Sequence, residues 1–189
     1  MSHTRVAVPL KRSVRWLRWL TGSYLAACCL IAVLPTCTTG PPLVLPAGWR
    51  SPTPEEMAQE WRKNDPLRSF RVRADFNGDG VMDEAQLLVR SDGSGMALVA
   101  FLSNPQGFTP VILDEINEPG WLDVMGVALA TPGKYRTACG KGYFDCGPDE
   151  PEVLVLERPG IDYFKEESAN SFFYWDGKTA SFKRVWISD

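Results

Sequence analysis

The sequence predicts a mainly β fold, α+β at most: an antiparallel sheet with one N-terminal helix, a metal-type loop between two strands and a C-terminal hairpin. Three observations predict it. After Pro66, Phe70, Val72, Ala74 and Phe76 alternate with Arg71, Arg73 and Asp75, the period-two pattern of a half-buried strand. Further apolar runs follow at short intervals, punctuated by Gly, Asn, Asp and Pro. A single stretch carries helix signals, and short strands with tight turns and one helix build a mostly antiparallel sheet.

Taken in chain order, the first segment is basic and then apolar. Arg5, Lys11, Arg12, Arg15 and Arg18 precede the uncharged run 20–34, "LTGSYLAACCLIAVL". A basic start followed by about 7–15 apolar residues reads as a secretory signal. A membrane anchor needs about 20 apolar residues, and this run ends at Pro35. Residues 1–37 are therefore expected to be a signal sequence, cleaved or of lipoprotein type, and the remainder to be periplasmic, secreted or lipid-anchored. "LAAC" ending at Cys28 and "LPTC" ending at Cys37 each resemble the bacterial lipobox and are the two candidate lipidation sites. An apolar stretch follows Cys28, whereas a polar, Pro-rich one follows Cys37.

Residues 38–54 hold five prolines and are expected to form an extended linker or surface-hugging segment. A single β-rich domain over 55–189 follows. Its helix is expected from Thr53, which can cap, through Pro54 at the first helical position to the stop at Asp65-Pro66, about three turns. The strand at 70–76 comes next. Further strands are expected at 86–89, 96–102, 109–113, 124–130 and 152–156. The last two, 172–175 and 182–187, flank "DGKTAS" with its Asp-Gly turn signal.

Charge and histidine content exclude several functions. The net charge of −3 hides segregation: beyond residue 37 there are 15 basic against 23 acidic residues, a net −8. So acidic a body does not suit nucleic acid, whose phosphates need a basic face. His3 is the only histidine and lies in the expected signal, so the body has no imidazole for a Ser-His-Asp or Cys-His nucleophile or for a His-bound zinc.

The stretch "DFNGDGVMDEAQLLV" carries the strongest chemical signal. With Asp75 as position one, Asn77 and Asp79 fall at three and five, Gly80 at six, Val81 at seven and Asp83 at nine. That spacing follows the calcium-loop template up to position nine. Calcium takes about six to eight oxygens, alternate residues of a coiled loop point inward, and the Val81 carbonyl can supply one without a side chain. Position twelve is Gln86 rather than the Glu of an EF-hand, and the flanks read as strands. The stretch resembles the calcium loops of FG-GAP and VCBS-type repeat proteins, in which such a loop links two β-strands. That resemblance, over about fifteen residues, implies Asp75, Asn77, Asp79 and Asp83 as side-chain ligands, Val81 as the backbone ligand and Ca2+ as the cofactor. It does not imply a propeller, since one loop is present. The competing reading is a turn that uses Asn, Asp and Gly for Asx-turns and positive φ. A turn does not require acids at one, five and nine.

Cys139 and Cys146 are the two cysteines certain to remain after export, and their separation suits a disulfide. Tyr163, Phe164, Phe172, Phe173, Tyr174, Trp175, Phe182 and Trp186 crowd the C-terminus. They can be cross-strand pairs that stiffen a hairpin or, in part, an exposed platform for sugars or a protein. Asp162, Glu166 and Glu167 could supply paired carboxylates for glycoside hydrolysis, but adjacency in sequence does not create that geometry, and no catalytic residue is assigned. The expectation is an exported calcium-binding module with structural calcium, whose partner is an unknown protein or glycan. A carbohydrate-binding protein or glycoside hydrolase is the alternative.

Overall fold

A computed structural model describes residues 43–64 and 70–188, which fall in a single unit, Thr38–Asp189. The expected signal, with Cys28 and Cys37, lies outside the described residues.

The fold is mainly β and antiparallel. In chain order come β1 (Trp49–Arg50), α1 (Glu60–Asn64), β2 (Arg71–Ala74), β3 (Asp83–Arg90), β4 (Met96–Asn104) and β5 (Gly107–Ile116). A 3-10 turn (Trp121–Asp123) precedes β6 (Met125–Ala130), β7 (Gly133–Arg136), β8 (Val153–Leu156), β9 (Gly160–Lys165), β10 (Asn170–Asp176) and β11 (Ser181–Ser188). One sheet runs β1-β3-β4-β5, with β2 also paired to β3. A second runs β11-β10-β9-β6, and β7-β8 form a two-stranded ribbon.

The sheets share a core. Ala85, Leu87 and Val89 of β3 and Met96, Leu98 and Ala100 of β4 meet Val127, Ile161, Tyr163 and Phe173 of the second sheet. Burying one such Leu, Ile or Phe contributes about 1.5–3 kcal/mol. β3 is buried from Asp83 to Val89 on both faces, because its alternate residues enter a second cluster. There Leu88, Val99 and Phe101 pack under Trp49, with Leu43 and Leu45 against them. The described part of the Pro-rich segment thus lies on the outer face of the first sheet, and Trp49 pairs with Arg90. On the far side, Leu154 and Leu156 of the ribbon cover Phe172, Val185 and Ile187. Pro110 is tolerated because β5 is an edge strand and needs no outward N–H there.

The helix differs from expectation. Residues 54–57 form a turn and α1 is only five residues long. Thr53 and Glu56 do cap one another: the Glu56 N–H donates to Thr53 Oγ1 (3.3 Å) and the Thr53 N–H to Glu56 Oε2 (2.8 Å). The carboxylate is also held by Arg50 at 2.7 and 2.8 Å. Downstream, Gln59 donates to Asp123 Oδ1 (2.8 Å), the Trp61 indole to the Asp123 carbonyl (2.9 Å) and Arg62 to the Leu122 and Met125 carbonyls (both 2.6 Å). These bonds to a turn some sixty residues away displace the regular i→i−4 ladder, whose propensity is a weak prior against tertiary contacts. Burial draws the Arg62 guanidinium down to a pKa of about 10.

Candidate functional site

The loop between β2 and β3 is built on Asp75. Its Oδ1 accepts the N–H groups of Gly78 (2.7 Å) and Asp79 (3.1 Å), and its Oδ2 that of Gly80 (2.9 Å). The chain can coil this tightly because Gly78 and Gly80 take φ values of 81° and 85°, open to glycine at little steric cost. Asn77 Oδ1 accepts the Asp79 N–H (3.0 Å) while its amide donates to Asp79 Oδ2 (3.0 Å). Asp79 Oδ1 in turn accepts the Val81 N–H (2.8 Å). Asp75, Asn77, Asp79 and the Val81 backbone are therefore brought into one ring of contacts.

Asp83 is placed differently. It is fully buried, with Oδ2 accepting the Phe76 N–H (3.0 Å) and Oδ1 the Ser103 N–H (2.8 Å). Ser103 also donates its hydroxyl to the Met82 carbonyl. Asp83 thus joins both loop ends to β4. Burial pushes its pKa up; backbone N–H bonds oppose the shift and the Asp79 charge adds to it.

The electrostatics leave acidic charge in place. Arg158 reaches the loop, but its Nη1 donates to the Asn77 carbonyl (2.6 Å), not to a carboxylate. Among the described residues, no group of three or more His, Cys, Asp or Glu side chains stands together as a ready metal cage. The donor set itself suits a hard cation: it is all oxygen, and a carboxylate oxygen that accepts one N–H keeps a further lone pair.

Cys139 and Cys146 form a disulfide, with Cα atoms 4.9 Å apart. Their loop is docked on β11, since the Ala138 N–H donates to the Trp186 carbonyl (2.8 Å) and Lys141 Nζ to the Ile187 carbonyl (2.7 Å). Buried Thr137 closes its base by donating to the Pro151 carbonyl (2.8 Å) and accepting the Gly140 N–H (3.1 Å).

Most C-terminal aromatics are structural. Tyr163, Phe164, Phe172 and Phe173 are buried. Trp175 faces Phe182 directly across the β10–β11 hairpin at 5.3 Å and 80°, and Tyr135 meets Phe172 at 4.9 Å and 80°. Trp186 is the exception, 37% exposed. Asp162, Glu166 and Glu167 line one hollow with Asn170 and Ser188, where Asp162 accepts a bond from Asn170 (2.9 Å).

The sequence reading missed β9, which supplies Tyr163 and Lys165. Its signal was the alternation of Ile161 and Tyr163 with Asp162. No family model, curated protein or solved structure matches the chain.

Proposed function

We propose that the chain is an exported, calcium-stabilised β domain that works as a binding or envelope-associated module. The observation that carries the calcium reading is the loop from Asp75 to Asp83. Asp75, Asn77 and Asp79 are drawn into one tight coil, the Asp79 charge is felt at Asp83, and the basic side chain that reaches the loop among the described residues, Arg158, takes a carbonyl. Like charges so close repel one another, and a divalent cation relieves that cost. The FG-GAP and VCBS-type resemblance agrees with this assignment. In it, Asp75, Asn77, Asp79, the Val81 carbonyl and Asp83 would hold the ion, which would stiffen the β2–β3 connection rather than react.

Export is supported by the disulfide, since such bonds persist in oxidising compartments, and by the basic-then-apolar N-terminus. The test is a melting experiment on the purified protein and on Asp79→Ala, in excess calcium and in chelator. Calcium should raise the melting temperature of the unaltered protein only. A rise in neither protein removes the site, and an equal rise in both means that other residues bind the ion.

A further inference from the structure

A hollow lies where β5 faces β9 and β11. It measures about 300 Å³ and is walled by Ile116, Trp121, Met125, Tyr163, Lys165 and Arg184, and by Asp114, whose charge is offset by its pair with Arg184; this is the small end of ligand pockets, which span about 300–1,000 Å³. Its wall is largely apolar, and its polar groups fall into two kinds. Arg184 is committed: it pairs with Asp114 at 3.4 Å, donates to Ser171 (2.9 Å) and lies over the Trp186 ring at 4.3 Å. Two other groups are not.

The Tyr163 hydroxyl is the first. Tyr163 is 2% exposed, and among the described residues its shielded oxygen has no hydrogen-bond partner. Burial, and after it the nearby Asp114 carboxylate, push its pKa up. Buried hydroxyls are normally bonded, so an orphan in the wall of a hollow marks a place for a ligand atom. Lys165 is the second. Its ammonium lies 4.9 Å above the Trp121 ring and makes no ion pair among the described residues. The Trp121 indole is fixed by its own bond to Glu118 (3.1 Å). Tyr163 and Lys165 are two apart on β9, so their side chains leave the same face, about 6–7 Å apart along the strand.

We propose that this hollow binds a small carboxylic acid with an apolar body and a second oxygen at its far end. The carboxylate meets Lys165, the body packs on Trp121, Ile116 and Met125, and the far oxygen bonds the Tyr163 hydroxyl. The exposed Lys165 cation at the rim selects an anion, and the apolar wall selects against a polyhydroxylated sugar. This assignment rests on the reading of the domain as a binding module and gives it a ligand class.

The test titrates the calcium-loaded protein with 3-(4-hydroxyphenyl)propanoate, 3-phenylpropanoate, the amide of each, and glucuronate, followed by NMR shifts and tryptophan fluorescence. Both acids should bind saturably below about 10 mM, a range accessible to weak ligands. Lys165→Met should weaken both acids about fivefold or more and leave the amides unchanged. Tyr163→Phe, which keeps the ring, should weaken the hydroxy acid about threefold or more and spare 3-phenylpropanoate, with an unchanged melting temperature. Absence of saturable binding by both acids overturns the proposal, as does binding indifferent to Lys165→Met. Stronger binding of glucuronate would overturn the ligand class while leaving a binding module in place.

Discussion

At the scale of single residues, Asp79 and Asp83 share a loop but have separable roles. Asp83 accepts two backbone N–H groups from within the fold, so Asp83→Ala would orphan both. Each orphaned buried group costs about 1–3 kcal/mol. Urea unfolding of Asp83→Ala should therefore show a loss of at least about 2 kcal/mol whether or not calcium is present, whereas Asp79→Ala should act through calcium. Glu56 offers a test by pH. Its side-chain bond to Arg50, and next the Thr53 N–H, draw its pKa down to about 2. A carboxylate depressed in the folded state contributes stability above its unfolded pKa and loses it as pH falls through the folded one. The window is thus pH 4.5 down to about 2, and because the side chain is 34% exposed the effect stays below about 1 kcal/mol. Glu56→Gln should flatten that part of the stability curve, as followed by urea midpoints at successive pH values.

At the scale of elements, legibility in the sequence followed how locally each structure is determined. β2, β4, β6 and the β10–β11 hairpin were readable because their alternation or turn residues are contiguous. The tight coil at 75–81 was readable for the same reason, since adjacent Asp, Asn and Gly residues carry the pattern. Helix α1 was over-extended because its length is set by Asp123, Leu122 and Met125, which sequence distance hides. β9 was hidden because charged Asp162 and Lys165 break up its apolar run, although Ile161 and Tyr163 face the core. The hollow around Tyr163 was invisible, as its walls come from β5, the 3-10 turn, β6, β9 and β11. The Cys139–Cys146 loop is a short element with a clear consequence. Closing so short a loop contributes on the order of 2–3 kcal/mol. Replacing both cysteines with serine should lower the urea midpoint accordingly, and reducing agent should then have no further effect.

At the scale of the whole molecule, four layers cover one another in turn: the segment with Leu43 and Leu45, which leads into β1, the first sheet, the second sheet and the β7–β8 ribbon. The Pro-rich segment is not a passive tether, because it ends in β1, where Trp49 is buried against Leu88, Val99 and Phe101 with Arg90 over its ring at 4.8 Å. Trp49→Ala should therefore destabilise the whole domain by about 3–5 kcal/mol, measured by urea unfolding as one cooperative transition. Charge is also organised at this scale. The acidic loop lies between β2 and β3, while the hollow with Lys165 lies between β5, β9 and β11, so cation and anion are assigned to separate sites. The central claim, that the Asp75–Asp83 loop holds calcium, is tested most directly by calcium titration of an amide NMR spectrum. The account predicts saturable shifts centred on Gly78, Gly80 and Val81, with a midpoint of about 10⁻⁴–10⁻³ M, that vanish in Asp79→Ala. Shifts that are absent, or that persist unchanged in Asp79→Ala, would contradict it.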